Sequence, residues 1–282
     1  MNLSVIISNY TLTYHFENCL DSLINQTIDH NSYEIICVDG GSPNFQDIKS
    51  IITNKKFNNL TLYHQKRREK YSKNPSSALN FGARRASGDK ILLFPDSAIL
   101  VDPNCLSLLL ENMRANLCLV PFNRTIGENI PNRWARYSDT MEESIDYLKS
   151  LFNSKKPLVE ISEPSSTTYA CPVDSRFACF NKNEFFNIGG FDELNFQGWG
   201  FWWVSFMKRF MNMYSVEICK NLNSYHQVHP LIRDDSIKNF DVVQNLADQE
   251  IGRYEQILRP VIINLNEDND FEKIDIHENS ID

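Results

Sequence analysis

The chain has 282 residues, of which 42% are hydrophobic and 23% are charged. These values are ordinary for a folded protein and exclude collagen-like and low-complexity classes. The formal net charge is −8, and most of it comes from residues 267–282, which hold seven acidic residues and one lysine. The rest of the chain is close to neutral, so a duplex nucleic-acid binder, which would be strongly basic, is excluded.

Cysteine usage and hydropathy predict a cytoplasmic protein. The seven cysteines are scattered without a CxxC pair, which favours reduced thiols over a disulfide or zinc framework. The apolar run Leu3–Ile7 lacks the basic flank and cleavage site of a signal peptide. No apolar stretch approaches the roughly 18 residues of a membrane span.

The first half of the chain alternates short apolar runs with helical patterns. The predicted elements are, in order, strand Leu3–Ser8, helix His15–Gln26, strand Tyr33–Val38, helix Phe45–Ile52, strand Leu60–His64, helix Pro75–Ala86, strand Lys90–Phe94, helix Pro103–Arg114 and strand Leu117–Pro121. This alternation predicts an α/β fold with a mostly parallel central sheet and helices on both faces. Ligands bind such sheets beyond the carboxyl ends of the strands, which here are Ser8–Tyr10, Asp39–Ser42 and Pro95–Ala98.

The second half is less regular. Helical patterns are predicted over Asn132–Phe152, Asn181–Ile188, Trp199–Met211 and Asp235–Leu258, with one or two strands in Tyr169–Phe180. The acidic composition of residues 263–282 predicts a disordered tail.

Several segments, in this order, resemble the family 2 glycosyltransferases. They are Ser4–Tyr10 (SVIISNY), Glu34–Ser42 (EIICVDGGS), Ser77–Gly88 (SALNFGARRASG), Lys90–Asp96 (KILLFPD), Gly189–Glu193 (GGFDE) and Gly198–Gly200 (GWG). The resemblance implies a single GT-A domain over residues 1–262, with a nucleotide-binding half at 1–125 and an acceptor half at 126–262. It also implies inverting transfer of a sugar from a nucleotide-sugar, UDP-linked, to a glycan or other hydroxyl acceptor in polysaccharide biosynthesis.

The resemblance places five residues around the nucleotide-sugar: Ser8, Tyr10, Asp39, Asn80 and Asp96. Asp39 matches the position that hydrogen-bonds the base, because a carboxylate accepts from a ring N–H of uracil or guanine. The alternative is that Asp39 only caps the Asp-Gly turn. Tyr10 either stacks on the base or packs, and Asn80 either contacts the donor or is a helix-surface amide.

A divalent metal, Mn²⁺ or Mg²⁺, is implied but is in doubt. The family usually has Asp-x-Asp after the fourth strand, where this chain has Asp96-Ser97-Ala98 and therefore lacks the second carboxylate. His226 and His229 resemble a late His-x-x-His segment of the family, and His229 with Asp96 is the candidate metal site.

The acceptor segment also departs from the family pattern. Trp202 and Trp203 stand where the family has the acidic pair that contains the catalytic base, and an indole cannot accept a proton. Asp192 and Glu193 are weak candidates for that base. Trp199 and Trp202 are predicted to contact a sugar ring. The alternatives are core packing or a surface that contacts a protein partner or a membrane.

Two functions remain open at this point. One is an active transferase, and the other is a catalytically silent GT-A domain that binds a glycan or nucleotide or regulates a partner. A dinucleotide oxidoreductase is set aside because Ser8-Asn9-Tyr10, not a glycine-rich turn, follows the first strand. A basic run (Lys66, Arg67, Arg68, Lys70) either attracts the diphosphate or is a solvated loop.

Overall fold

The computed structural model describes residues 1–66, 75–100, 102–126, 177–193, 202–211, 213–227 and 270–276. The elements in these ranges are, in order, β1 (Leu3–Asn9), α1 (Thr13–Ile24), β2 (Tyr33–Asp39), α2 (Phe45–Lys55), β3 (Leu60–Gln65), α3 (Ser76–Arg85), β4 (Lys90–Pro95), β5 (Ala98–Leu100), α4 (Cys105–Asn112), β6 (Leu117–Ile126), β7 (Ala178–Asn181), α5 (Lys182–Asn187), α6 (Trp202–Met211), β8 (Ser215–Gln227) and β9 (Phe271–Ile274).

The described strands form one mixed sheet in the order β5-β8-β6-β7-β4-β1-β2-β3-β9. Strands β4, β1, β2 and β3 are parallel to one another at its centre. Strands β7 and β9 run antiparallel on either side of this parallel core. The parallel core and the helices between its strands confirm the predicted α/β architecture.

Two layers of apolar side chains cover the sheet, because each central strand is buried on both faces. Leu3, Val5 and Ile7 of β1 face one layer, which they share with α1, α2 and α4. Ile6 faces the other layer, which includes α3, α5 and α6. A Cβ on Gly82 of α3 would lie 2.5 Å from Ile6 Cγ2, so only glycine permits this approach of helix to strand.

Every element predicted between residues 3 and 121 is observed. The helix predicted over Asn181–Ile188 is observed as α5, and the helix predicted over Trp199–Met211 is observed from Trp202 as α6. Strands β5 and β8 were not predicted, and β8 pairs with both β5 and β6. The helices predicted over 132–152 and 235–258 lie outside the described residues.

The prediction of a disordered acidic tail over residues 263–282 is wrong for residues 270–276. Strand β9 pairs antiparallel with β3, and Lys66 N–H donates to the Asp270 carbonyl at 2.8 Å. The Phe271 ring stacks on Phe81 of α3, with centroids 4.0 Å apart. The prediction of disorder rested on the acidic composition of the tail and gave no weight to Phe271 and Ile276, which are buried in the structure.

The described helices and cysteines bear on membrane insertion and on redox chemistry. None of their helices has the length and hydrophobicity to cross a bilayer. Their six cysteines are free thiols, and burial raises the pKa of Cys19 and Cys37 well above the ordinary value. Buried thiols of this kind are unreactive. Cys171 lies outside the described residues.

The docking of β9 is testable by Phe271→Ala, with Phe186→Ala as the control for removal of a half-exposed phenyl ring. Phe271→Ala should lower the free energy of unfolding by about 3 kcal/mol, because a buried ring is replaced by a cavity. Phe186→Ala should cost less than about 1 kcal/mol. Urea unfolding measures both values, and equal losses would show that β9 does not dock on the sheet.

Candidate functional site

The loops that follow β1, β2 and β4 meet at one edge of the sheet, which we call the rim (residues 9–11, 39–44 and 95–97). Tyr10 N–H donates to Asp96 Oδ2 at 3.4 Å, which joins the loops after β1 and β4. Thr11 N–H donates to Ser42 Oγ at 2.9 Å, which joins the loops after β1 and β2. The structure therefore brings together the three segments that the strand pattern placed at this edge.

Asp39 is the fully buried carboxylate of the rim, and its two oxygens have different surroundings. Oδ2 accepts from Gly41 N–H at 3.0 Å, from Ser42 N–H at 2.9 Å and from His64 Nδ1 at 2.7 Å. Oδ1 is buried without a hydrogen-bond partner among the described residues. Asp39 thus caps its turn through Oδ2, while Oδ1 is left without a hydrogen bond to the described residues.

His64, at the end of β3, holds the Asp39 carboxylate in place. An ionised carboxylate only accepts hydrogen bonds, so His64 Nδ1 is the donor. The imidazole also packs on Phe45, the first residue of α2, with ring centroids 4.0 Å apart. His64 was not predicted as a site residue. Its position at the end of the third predicted strand was a signal in the sequence, whereas its register with Asp39 is seen only in the structure.

Asn9, the last residue of β1, is a second residue that the sequence reasoning missed. Its side chain is fully buried, and neither Nδ2 nor Oδ1 has a hydrogen-bond partner among the described residues. Asn9 is the register partner of Asp39, so the two side chains emerge on the same face of the sheet. An unpaired buried polar atom costs about 1–3 kcal/mol, so this pair of atoms needs an explanation.

Ser8, next to the rim in β1, and Tyr10, within the rim, are both partly exposed, and their contact with a donor stays a prediction. The next residue, Thr11, has φ of +64°, which is a strained conformation for a β-branched side chain. Its backbone is held from both sides, because its carbonyl also accepts from Asn44 Nδ2 at 3.3 Å. Strain of this kind concentrates at binding sites.

Asp96 is the one carboxylate in its loop, and the residues described here do not by themselves form a metal site. Ala98, at the position of the missing carboxylate, is a buried methyl group that opens β5, where its register partner is His226. No group of three or more His, Cys, Asp or Glu side chains that could hold a metal occurs within the described ranges. His229 lies outside them, although Gln227 N–H donates to Ser97 O at 2.8 Å, beside Asp96.

The chain matches the model of the family "Glycosyl transferase family 2" over residues 4–177. It belongs to this family. The match begins in β1 and includes the whole rim.

Two curated relatives share short regions with the chain. A poly(ribitol-phosphate) beta-glucosyltransferase of Bacillus spizizenii is 37% identical over 100 residues, which are 34% of this chain and 15% of that protein. A putative polypeptide N-acetylgalactosaminyltransferase 10 of Drosophila melanogaster is 36% identical over 114 residues, which are 39% of this chain and 18% of that protein. The matched regions thus span less than a fifth of either relative.

Solved structures show that the fold is GT-A. Residues 1–349 of S. aureus TarS, in complex with UDP, superpose with a TM-score of 0.59 at 15% identity, covering 92% of this chain and 70% of that TarS fragment. The mannosyltransferase PcManGT from Pyrobaculum calidifontis, in complex with GDP-Man and Mn²⁺, gives 0.57 at 15% identity, covering 91% and 68%. This likeness confirms the predicted GT-A fold class.

In the structure, Asn80 is neither on the helix surface nor free to contact a donor. Its Nδ2 donates to Phe191 O at 2.9 Å and to Glu193 Oε1 at 2.7 Å, and its Oδ1 accepts from Phe191 N–H at 2.9 Å. Both amide hydrogens are used, so the structure assigns Asn80 to the support of residues 189–193. This placement corrects its prediction as a donor-binding residue.

The same loop is held from α6 by Arg209, a buried guanidinium that donates to Ile188 O at 2.5 Å and to Gly190 O at 2.7 Å. Burial lowers the pKa of Arg209 to about 10, and the charge of Asp192 partly offsets this effect. Gly190 has φ of +65°, and a Cβ there would lie 2.7 Å from Asn80 Oδ1. Residues 189–193 are therefore fixed in one conformation.

Asp192 and Glu193, the weak candidates for the catalytic base, are both buried on this loop. Glu193 accepts from Asn80, so its carboxylate is engaged in holding the loop, and its catalytic role stays a prediction. Trp202 is 1% exposed and packs edge-on against Phe191, with centroids 5.0 Å apart.

The prediction that Trp202 contacts a sugar is therefore corrected: it is a core residue, as is Trp203 beside it. Trp199 lies outside the described residues. So do Arg67, Arg68 and Lys70 of the basic run, whose first member, Lys66, is exposed and 3.5 Å from Glu272.

The role of Asn80 is testable by Asn80→Ala, with Asn187→Ala as the control. Asn80→Ala should lower the free energy of unfolding by about 2–4 kcal/mol, because buried partners in residues 191–193 lose their hydrogen bonds. Asn187 donates only to the exposed Tyr214 hydroxyl at 3.2 Å, so Asn187→Ala should cost less than about 0.5 kcal/mol. Chemical denaturation gives both values. A loss of nucleotide affinity by Asn80→Ala without a loss of stability would restore Asn80 to the donor site.

Proposed function

We propose that this protein transfers a sugar from a uridine diphosphate sugar to a hydroxyl group of a glycan-type acceptor. The observation that carries the proposal is the unpartnered Oδ1 of Asp39 at the rim, within the residues that match the family. Ligands bind open α/β sheets at this edge. The two curated relatives and PcManGT are transferases by name, and TarS and PcManGT were solved with UDP and with GDP-Man, respectively.

The chemistry of Asp39 selects among the bases. An ionised carboxylate accepts only, so Oδ1 suits the N3–H of uracil or the N1–H of guanine. Cytosine and adenine present an unprotonated ring nitrogen at the corresponding position, which a carboxylate repels. Asp39 therefore favours uridine and guanosine diphosphates over cytidine and adenosine diphosphates.

The other oxygen of Asp39 favours uracil over guanine. Guanine offers two adjacent donors, N1–H and the 2-amino group, and a carboxylate pairs with both only when each oxygen is free. Oδ2 already accepts from three donors, including His64. A guanine amino group would therefore find no second acceptor on Asp39, and the hydrogen bond lost in this way costs about 1–3 kcal/mol.

We propose that Asp96 acts near the sugar diphosphate, and its position at the rim beside Tyr10 supports this. A divalent cation, when bound, neutralises the charge of the leaving diphosphate. We propose Asp96 as one ligand for it, with His229 as the candidate second. With Ala98 in place of the second carboxylate, this site would depend on phosphate oxygens and water for its remaining ligands.

Activity, and not a silent domain, is the function we favour. Asp39 and Asp96 are both present at the rim, and the buried positions of Trp202 and Trp203 show that these indoles form the core under α6. The proposal has three further parts. Transfer inverts the configuration at the anomeric carbon, and Asp192 or Glu193 is the base. The acceptor is a glycan in polymer synthesis at the cytoplasmic side.

The donor assignment is testable by calorimetric titration with UDP, GDP and CDP, each with and without Mn²⁺. UDP should bind at least about tenfold more tightly than GDP, and CDP should not bind measurably, because of the acceptor geometry at Asp39. A stronger affinity for UDP in Mn²⁺ would support the metal site at Asp96, and Asp96→Asn should abolish that increase. Failure of UDP and GDP alike to bind would overturn the donor site.

The variant Asp39→Asn isolates the contact to the base. Its carbonyl can still accept from Gly41 and Ser42, whereas its NH2 would face the uracil N3–H, so the affinity for UDP should fall about 10- to 100-fold. Asp29→Asn is the matched control: Asp29 Oδ1 also accepts from a turn N–H, that of Asn31 at 2.9 Å, but it precedes β2 at the opposite edge of the sheet. Equal affinities for wild type and both variants would contradict the assignment.

Transfer itself is testable by release of UDP from a panel of UDP-sugars, with water as a slow acceptor. The protein should release UDP from at least one sugar donor, and Asp96→Asn should abolish the release. UDP binding without any release, even with glycan acceptors added, would favour the silent domain.

A further inference from the structure

Among the described residues of the parallel strands β1 to β4, Asn9 is the one with two buried side-chain atoms that lack hydrogen-bond partners. Both atoms of its amide are buried and without hydrogen-bond partners among the described residues. Its register partner Asp39 has an Oδ1 atom in the same condition. Burying three unpaired polar atoms on one face of the sheet is costly in a free protein. A ligand that pairs with two of them recovers most of this cost.

The strand register determines where the Asn9 amide lies. Asn9, Asp39 and His64 are register partners at the ends of three adjacent parallel strands, so their side chains form one row on one face. His64 holds the Asp39 carboxylate from one end of the row through Oδ2. Asn9 is at the other end, on the side where β1 leads into the rim residues Tyr10 and Thr11.

We propose that Asn9 is a second base-recognition residue, whose Nδ2 donates to a carbonyl oxygen of uracil next to the N3–H that Asp39 Oδ1 accepts. The imide edge of uracil presents acceptor, donor and acceptor in sequence. An amide N–H beside a lone carboxylate oxygen is complementary to two adjacent groups of that edge. This inference rests on the proposed uridine donor, and it adds a contact that the donor assignment does not require.

Asn9→Leu tests the proposal, because leucine has a similar size and removes only the polar atoms. The affinity for UDP should fall about 5- to 50-fold, because a buried uracil carbonyl loses its donor. The melting temperature of the ligand-free protein should stay equal or rise, because an unsatisfied buried amide has been removed. A structural role for Asn9 predicts the reverse: a lower melting temperature with unchanged affinity for UDP.

Asn59→Leu is the control variant. Asn59 Nδ2 donates to His30 O at 3.0 Å and to Tyr33 O at 3.1 Å, near the start of β2, at the opposite edge of the sheet. This variant should lose thermal stability and keep the wild-type affinity for UDP. Asn9→Leu and Asn59→Leu should therefore change opposite properties, and identical behaviour of the two would overturn the inference.

Base analogues separate this inference from the donor assignment. Replacing one uracil carbonyl by a thiocarbonyl, in 2-thio-UDP or 4-thio-UDP, weakens an acceptor without removing the N3–H. For the wild type, one of the two analogues should have a lower affinity than UDP. For Asn9→Leu, that same analogue and UDP should have equal affinities. If the wild type binds UDP but both analogues behave alike in wild type and variant, the Asn9 contact is wrong and the donor assignment stands. If the wild type does not bind UDP, the Asn9 contact and the uridine donor assignment are both wrong.

Discussion

The hydrogen bonds to Asp39 Oδ2 are the interaction on which the rest of the site depends. Two backbone N–H groups of the turn after β2 and the imidazole of His64 converge on one oxygen of a fully buried carboxylate. They fix its orientation, and they leave Oδ1 as a single acceptor at the carboxyl edge of the sheet. A single acceptor of fixed direction can distinguish bases that a freely rotating carboxylate would bind alike.

This arrangement requires the parallel register of β1, β2 and β3. Because register partners in a parallel sheet emerge on the same face, one residue from each strand end forms a continuous row: Asn9, Asp39 and His64. The apolar residues earlier in the same strands pack against α1 and α2, which fixes the three strand ends relative to one another. Core packing on this face thus positions polar atoms whose burial is unfavourable until a ligand pairs with them.

On the other face of the sheet, side chains of two helices support the loop of residues 189–193. Asn80 from α3 and Arg209 from α6 both bond to backbone carbonyls of residues 188–191, so two helices hold one loop. The aromatic cluster of Phe191, Trp202 and Phe206 lies beneath it. This support fixes the loop that carries Asp192 and Glu193.

How far the sequence predicts this molecule depends on whether a feature is local. The strands and Asp39 follow from short apolar runs that end in polar turns, which is why the parallel core and the rim were predicted. The row of Asn9 and His64 depends on lateral register between distant segments. Trp202 and Asn80 were assigned ligand contacts from the matching positions in the family. That inference fails here because both side chains are buried in contacts within the protein. Strand β9 was not predicted because the acidic composition of the tail indicated disorder, although the tail also contains apolar residues.

Titration calorimetry with UDP and with 3-methyluridine 5′-diphosphate, whose only change is a methyl group in place of the N3 hydrogen, tests the central claim most directly. The account predicts that the unmodified protein binds UDP and binds the methylated nucleotide at least about tenfold more weakly, because Asp39 Oδ1 loses its donor. Equal affinity for the two nucleotides would show that Asp39 does not hold the base.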